Sequence, residues 1–325
     1  MRPRLVPLAV ALALGLVTAA CAQKAGTVPL VGGTTTTAGS GTAATVPVTR
    51  PTVELLDAGA APRTQLRFHP TGTCTEPVSI TQAFGLQVGT GATQEASSNQ
   101  SVQWDVTYRC TKITSDAITT RARYDAARLL RSDLGTGSTI DSVLQGFVGH
   151  EAEVVYDRRG QVVSASAPAV DLPASIKAVA DQLLNNLGSV LTSLSAPFPE
   201  QAVGVGAHWR VTGDAAIVGL HAHQVLDVVL TKVDGNDVEG TTTQSISFLK
   251  GKVTVPGVPA SAGTVSLVDG GLNGTGTVVW DLTHPVTFGH QMADGTISMS
   301  IDATGVHETL SETQHQDTTV APRTT

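Results

Sequence analysis

Two stretches alternate apolar and polar residues with period two, and they narrow the possible folds more than any other feature of the chain. Val78, Ile80, Phe84, Leu86 and Val88 fall on one parity, with Ser79, Thr81 and Gln87 on the other. Val102, Trp104, Val106, Tyr108 and Cys110 alternate with Ser101, Gln103, Asp105, Thr107 and Arg109. Successive side chains of a strand point to opposite faces, so each stretch predicts a strand with one apolar and one wet face. Further strands are predicted at Ile118 to Tyr124, Ala152 to Tyr156, Gln161 to Ala165, Trp209 to Thr212, Gln224 to Val233, Val238 to Leu249, Thr277 to Leu282 and Thr296 to Asp302. Asp157-Arg158-Arg159-Gly160, Asp234-Gly235-Asn236-Asp237 and Asp294-Gly295 are tight-turn signals among them, and such spacings make antiparallel hairpins. Only 14% of the residues are charged, and the many valines and threonines favour strands over helices.

A sheet that is apolar on one side must be covered, and two amphipathic patterns are available. The short one runs from Ser138 as N-cap, with Asp141 three residues on, through Ile140, Val143, Leu144, Phe147 and Val148. The long one begins at Asp171-Leu172-Pro173 and places Ile176, Val179, Leu183, Leu187, Val190 and Leu194 on one stripe before Pro197 and Pro199 end it. The expected class is therefore mainly β (α+β): a large curved antiparallel sheet, of which a half-barrel is one form, covered by one long and one short helix.

The ends read differently. Arg2 and Arg4 precede the apolar run Leu5 to Leu16, which has the length of a signal-peptide core and is short for a bilayer span. Val17-Thr18-Ala19-Ala20-Cys21 follows, and it resembles the lipobox of bacterial lipoproteins, with Thr18 where leucine is usual. That resemblance implies removal of residues 1–20, acylation of Cys21 with chains such as palmitate, and residence on the outer face of the cytoplasmic membrane. Residues 21–62 are small and polar, rich in Thr, Gly and Pro, and read as a flexible tether. Residues 63–310 read as a single β-rich domain and residues 311–325 as a disordered tail.

The chain holds three cysteines. With Cys21 acylated, Cys74 and Cys110 remain as a disulfide pair, closing a loop worth about 4 kcal/mol in the chain-entropy model. The formal net charge is −7, and loss of Arg2 and Arg4 makes the mature chain −7 − 2 = −9. Nucleic-acid binding normally needs a basic surface, so no nucleic-acid partner is expected.

Phe198-Pro199-Glu200-Gln201-Ala202-Val203-Gly204-Val205-Gly206-Ala207-His208-Trp209 resembles a Pro…Val-x-Val-Gly-x-x-Trp segment of uncharacterised secreted lipoproteins from high-GC Gram-positive bacteria. The likeness extends loosely over 64–310. It implies a fold and an envelope location, and no mechanism. Envelope lipoproteins that carry lipids are also similar in plan, a curved sheet wrapped round helices.

Catalytic signatures do not appear: there is no Gly-x-Ser-x-Gly, His-Glu-x-x-His, phosphate loop with lysine, or Cys-x-x-Cys. Ser247-Phe248-Leu249-Lys250 satisfies Ser-x-x-Lys but sits in a strand-like run, and no cofactor is implied. His221 and His223 share one strand face and are the candidate metal ligands, needing a third from elsewhere. Glu151 and Glu153 share a face without such a partner. The expectation is a non-enzymatic module that binds a lipid or other amphiphile; the alternatives are a structural or protein-interaction lipoprotein with a solid core, and metal binding at His221 and His223.

Overall fold

The structure, a computed structural model, describes residues 45–46, 50–72, 74–90, 93–133, 137–166, 196–217, 220–253, 264–303 and 306–323. Its strands are β1 (Thr45–Val46), β2 (Thr52–Asp57), β3 (Thr75–Thr90), β4 (Thr93–Ile113), β5 (Ala117–Ser132), β6 (Glu151–Asp157) and β7 (Val162–Ser166) in the first half. The second half contributes β8 (His208–Ile217), β9 (Leu220–Asp234), β10 (Asp237–Phe248), β11 (Gly251–Val253), β12 (Thr264–Asp281), β13 (Thr287–Ala303) and β14 (Val306–Pro322). All pair antiparallel in one sheet, ordered β1-β7-β6-β5-β4-β3-β14-β13-β12-β10-β9-β8-β2, with β11 on β12. The order does not close, so the molecule is an open curled sheet and not a barrel. Two meanders are joined by their first and last long strands: β14 lies against β3 from Leu310↔Thr90 to Pro322↔Val78.

The alternation sets which face is which. Val78, Ile80, Val102, Trp104 and Val106 are all buried, and cross-strand partners carry the same face to β5, where Val106 meets Tyr124 and Trp104 meets Ala127. The other face is wet: Gln103 donates to Ser79 Oγ at 2.8 Å, and Arg128 pairs with Asp105 at 3.0 Å. Among the described residues there is one helix, α1 (Gly137–Phe147), starting one residue before the serine expected to cap it. Ile140, Val143, Leu144 and Phe147 are its buried stripe, and Phe147 stacks 5.8 Å from Trp104 and 6.1 Å from Tyr124. Gln145 Nε2 ties the helix to the Ala127 carbonyl at 2.8 Å. The long helix expected over 171–194 lies outside the described residues.

Three expectations are corrected. The tail expected over 311–325 is instead the strand β14, held by β13 as far as Val320 and by β3 through Pro322, with Arg323 N bonded to the Pro77 carbonyl at 2.9 Å. Backbone pairing, which needs no apolar side chain, places it there. The tether expected over 21–62 does not cover Thr52–Asp57, which pairs with β8 as an edge strand. Asp294-Gly295 is not a turn but the middle of β13; a Cβ at Gly295 would lie 1.9 Å from the Gly271 carbonyl oxygen, so glycine is there for close approach of two strands. The turns at Asp157–Gly160 and Asp234–Asp237 do join hairpins, β6 to β7 and β9 to β10.

Cys74 and Cys110 are disulfide-bonded, 5.1 Å apart at Cα, and the Cys110 N–H also donates to the Cys74 carbonyl. The bond closes a 36-residue separation at the start of the sheet. Cys74→Ser with Cys110→Ser is expected to cost about 4 kcal/mol, read as a lower urea midpoint with an unchanged slope.

Candidate functional site: the inner face of the curled sheet

Eleven steps of the strand order separate β7 from β2, roughly 50 Å on a flat sheet. Yet Gln161, one residue before β7, donates through Nε2 to the Pro51 carbonyl beside β2 at 2.7 Å. The sheet must therefore curl until its two ends meet on one side. Non-strand segments tie that end together. Phe68 N donates to the Arg158 carbonyl at 2.8 Å, Phe198 N to the Arg159 carbonyl at 2.9 Å, and His69 N to the Leu282 carbonyl at 2.7 Å.

Aromatic residues fill the closed end. Phe198 lies 5.1 Å from Trp280, 5.5 Å from Phe68 and 6.4 Å from Trp209, and all four side chains are almost fully buried. Trp209 Nε1 donates to the Pro197 carbonyl at 3.1 Å. The Val203–Trp209 stretch supplies the geometry: Gly206 adopts φ 85°, and a Cβ at Gly204 would fall 1.8 Å from the Ala60 carbonyl oxygen. Glycine at 204 is what lets two backbones touch there.

Beyond the plug the inner face is a long apolar wall. Leu86 and Val88 of β3, Ile246 and Phe248 of β10, Leu267 and Leu272 of β12, and Ile297 and Met299 of β13 belong to one cluster with Leu310 of β14. Among the described elements, α1 is the one that packs across the inner face, and it rests on β5. Between wall and plug runs a polar belt set by register. Gln82, Thr318, Gln291 and Thr242 are consecutive cross-strand partners, with Gly276 in the gap on β12; Gln316, Ala293, Gly274 and Gln244 form the next row. Gln291 donates to Gln244. No lysine or arginine among the described strand residues lies on this face.

Four buried side-chain atoms among the described residues lack a hydrogen-bond partner: Gln82 Nε2, Trp104 Nε1, Trp280 Nε1 and Glu312 Oε2. All four residues lie on the inner face. In a filled core each would cost about 1–3 kcal/mol. Glu312 is fully buried, and burial pushes its carboxyl above the usual glutamate range against the opposing hydrogen bond from Gln314. A raised folded-state value means the folded chain keeps a proton that the unfolded chain has lost. Stability is then greatest below the ordinary value of about 4.3 and falls as pH rises through the folded value. Glu312→Gln is expected to raise the Tm by a few degrees at pH 7 and to leave it unchanged at pH 4, measured by thermal unfolding at both.

Of the residues singled out from sequence, Cys21 lies outside the described residues. His221 and His223 both project outward beside buried Ala222, and His223 Nδ1 sits 3.0 Å from Asp214 Oδ1. Among the described residues no third His, Cys, Asp or Glu joins them in a metal-binding group. His208, His284 and His290, the possible third ligands, are each engaged elsewhere, with Asp227, Asp281 and Asp317. Glu151 and Glu153 share a face as expected and flank Arg121. Lys250 of the Ser-x-x-Lys pattern pairs with Asp269 at 3.2 Å. The inner belt was missed from sequence, although alternation of Gln314, Gln316 and Thr318 with Thr313, His315 and Asp317 is a period-two pattern in which both sets are polar.

No family model and no curated protein matches the chain. Among solved structures it is similar to one concerned with lipid–protein interactions in lipovitellin, with TM-score 0.39 and 10% identity over 79% of this chain and 26% of that one. The chain thus spans about a quarter of that chain's length.

Proposed function

We propose that the protein is an extracytoplasmic lipoprotein, held to the outer face of the cytoplasmic membrane through acylated Cys21, that binds an amphiphile against the inner face of its sheet without catalysing a reaction. The observation that supports this reading is the inner wall itself. Leu86, Ile246, Leu272, Ile297 and Met299 line strands that curl together at one end yet stay open in their order. A hydrocarbon chain laid on such a wall gains about 0.8 kcal/mol per buried methylene, which suffices to hold a long-chain amphiphile out of water. The same face carries buried polar atoms without a hydrogen-bond partner, Gln82 Nε2 and Trp104 Nε1 among them, which a polar group of such a ligand would satisfy.

The test is native mass spectrometry of the full chain carrying Cys21→Ser, purified without detergent, so that covalently attached acyl chains are not counted. The expected spectrum shows added mass of lipid size that is lost on denaturation. A spectrum of bare protein alone, after incubation with an envelope lipid extract, would sink the proposal.

A further inference from the structure

We infer that the belt around Gln82 is a subsite for the uncharged, acceptor-bearing part of the bound amphiphile, of the kind presented by the ester carbonyls of a neutral lipid. This rests on the amphiphile-binding reading and adds the chemical class of the ligand. Gln82 is only 5% exposed and Trp104 only 2%, and their side-chain N–H donors have no partner. They are near neighbours on adjacent strands, since Ile80 pairs with Trp104 and Gln82 with Val102. Two desolvated donors side by side call for an acceptor. Thr318 and Gln291 continue the row across β14 and β13 and are only partly buried, which leaves the belt reachable from that side. Ile80, Val278 and Val320 lie on one side of the belt and Leu86, Leu272 and Ile297 on the other, which matches a polar waist between hydrocarbon segments. With no lysine or arginine on the described inner strand face, a phosphate would be buried without a counter-charge, whereas an ester would not need one.

Equilibrium binding of dioleoylglycerol, hexadecane and dioleoylphosphatidylglycerol to the full chain tests this, with Gln82→Met and Gln291→Met as variants of similar volume and their Tm values as the check on folding. Dioleoylglycerol should bind more tightly than dioleoylphosphatidylglycerol, and each variant should weaken dioleoylglycerol about five- to tenfold while leaving hexadecane unchanged. Tighter binding of the phosphatidylglycerol, or equal loss of dioleoylglycerol and hexadecane in the folded variants, would overturn the subsite and leave amphiphile binding standing. Failure of all three probes to bind would overturn both.

Discussion

Trp209→Ala is expected to lower the unfolding free energy by about 3–5 kcal/mol, the cost of emptying an aromatic-sized site in a packed core. Trp209 is fully buried, lies 6.3 Å from Trp280 and 6.4 Å from Phe198, and its indole N–H holds the Pro197 carbonyl. Its loss removes contacts from β8, from β12 and from the 196–207 segment at once, so the two ends of the curled sheet lose their common filling. Trp209→Phe keeps most of the ring surface but strands the carbonyl, and should cost about 1–3 kcal/mol. Urea unfolding reads both. A cost below about 1 kcal/mol for Trp209→Ala would mean that the closed end is not a packed plug.

Cys21→Ser is expected to move the protein from the membrane pellet to the soluble fraction almost completely. Under the proposed anchoring, two acyl chains of roughly fifteen methylenes, at ~0.8 kcal/mol each, would supply on the order of 20 kcal/mol of attachment. Among the described residues no helix is long and apolar enough to cross a membrane. Fractionation of cells with antibody detection settles the outcome. Retention of the variant in the pellet after a high-salt wash would exclude Cys21 as the anchor.

Strands with one apolar parity were legible in the sequence because burial demands it of them. Val102 to Cys110 is the clearest case, with five inward residues all buried in the structure. β14 was not legible for a physical reason: its inward residues Gln314, Gln316 and Thr318 face the polar belt, so neither face carries an apolar signal. Thr52–Asp57 reads as tether in sequence because it is an edge strand with four of its six residues exposed, where packing imposes little on composition. Asp294-Gly295 carries a turn signal because glycine serves both tight turns and close strand approach, and sequence alone does not separate the two uses. The aromatic plug was half legible: Trp209 opens a predicted strand, but its partners Phe68 and Phe198 sit in segments with no period at all. The belt, which gives the inner face its chemistry, appears only when register brings Gln82, Gln291 and Thr242 into one row.

A photoactivatable acyl chain tests most directly whether hydrocarbon occupies the inner wall. The full chain is incubated with a diazirine-bearing fatty acyl glycerol, irradiated, and the labelled peptides are mapped by mass spectrometry. Labels on Leu272, Ile297 and Met299, with none on the outward Val279 and Met292, are the expected result. Labels confined to the outer face, or absent altogether at saturating probe, would contradict the account.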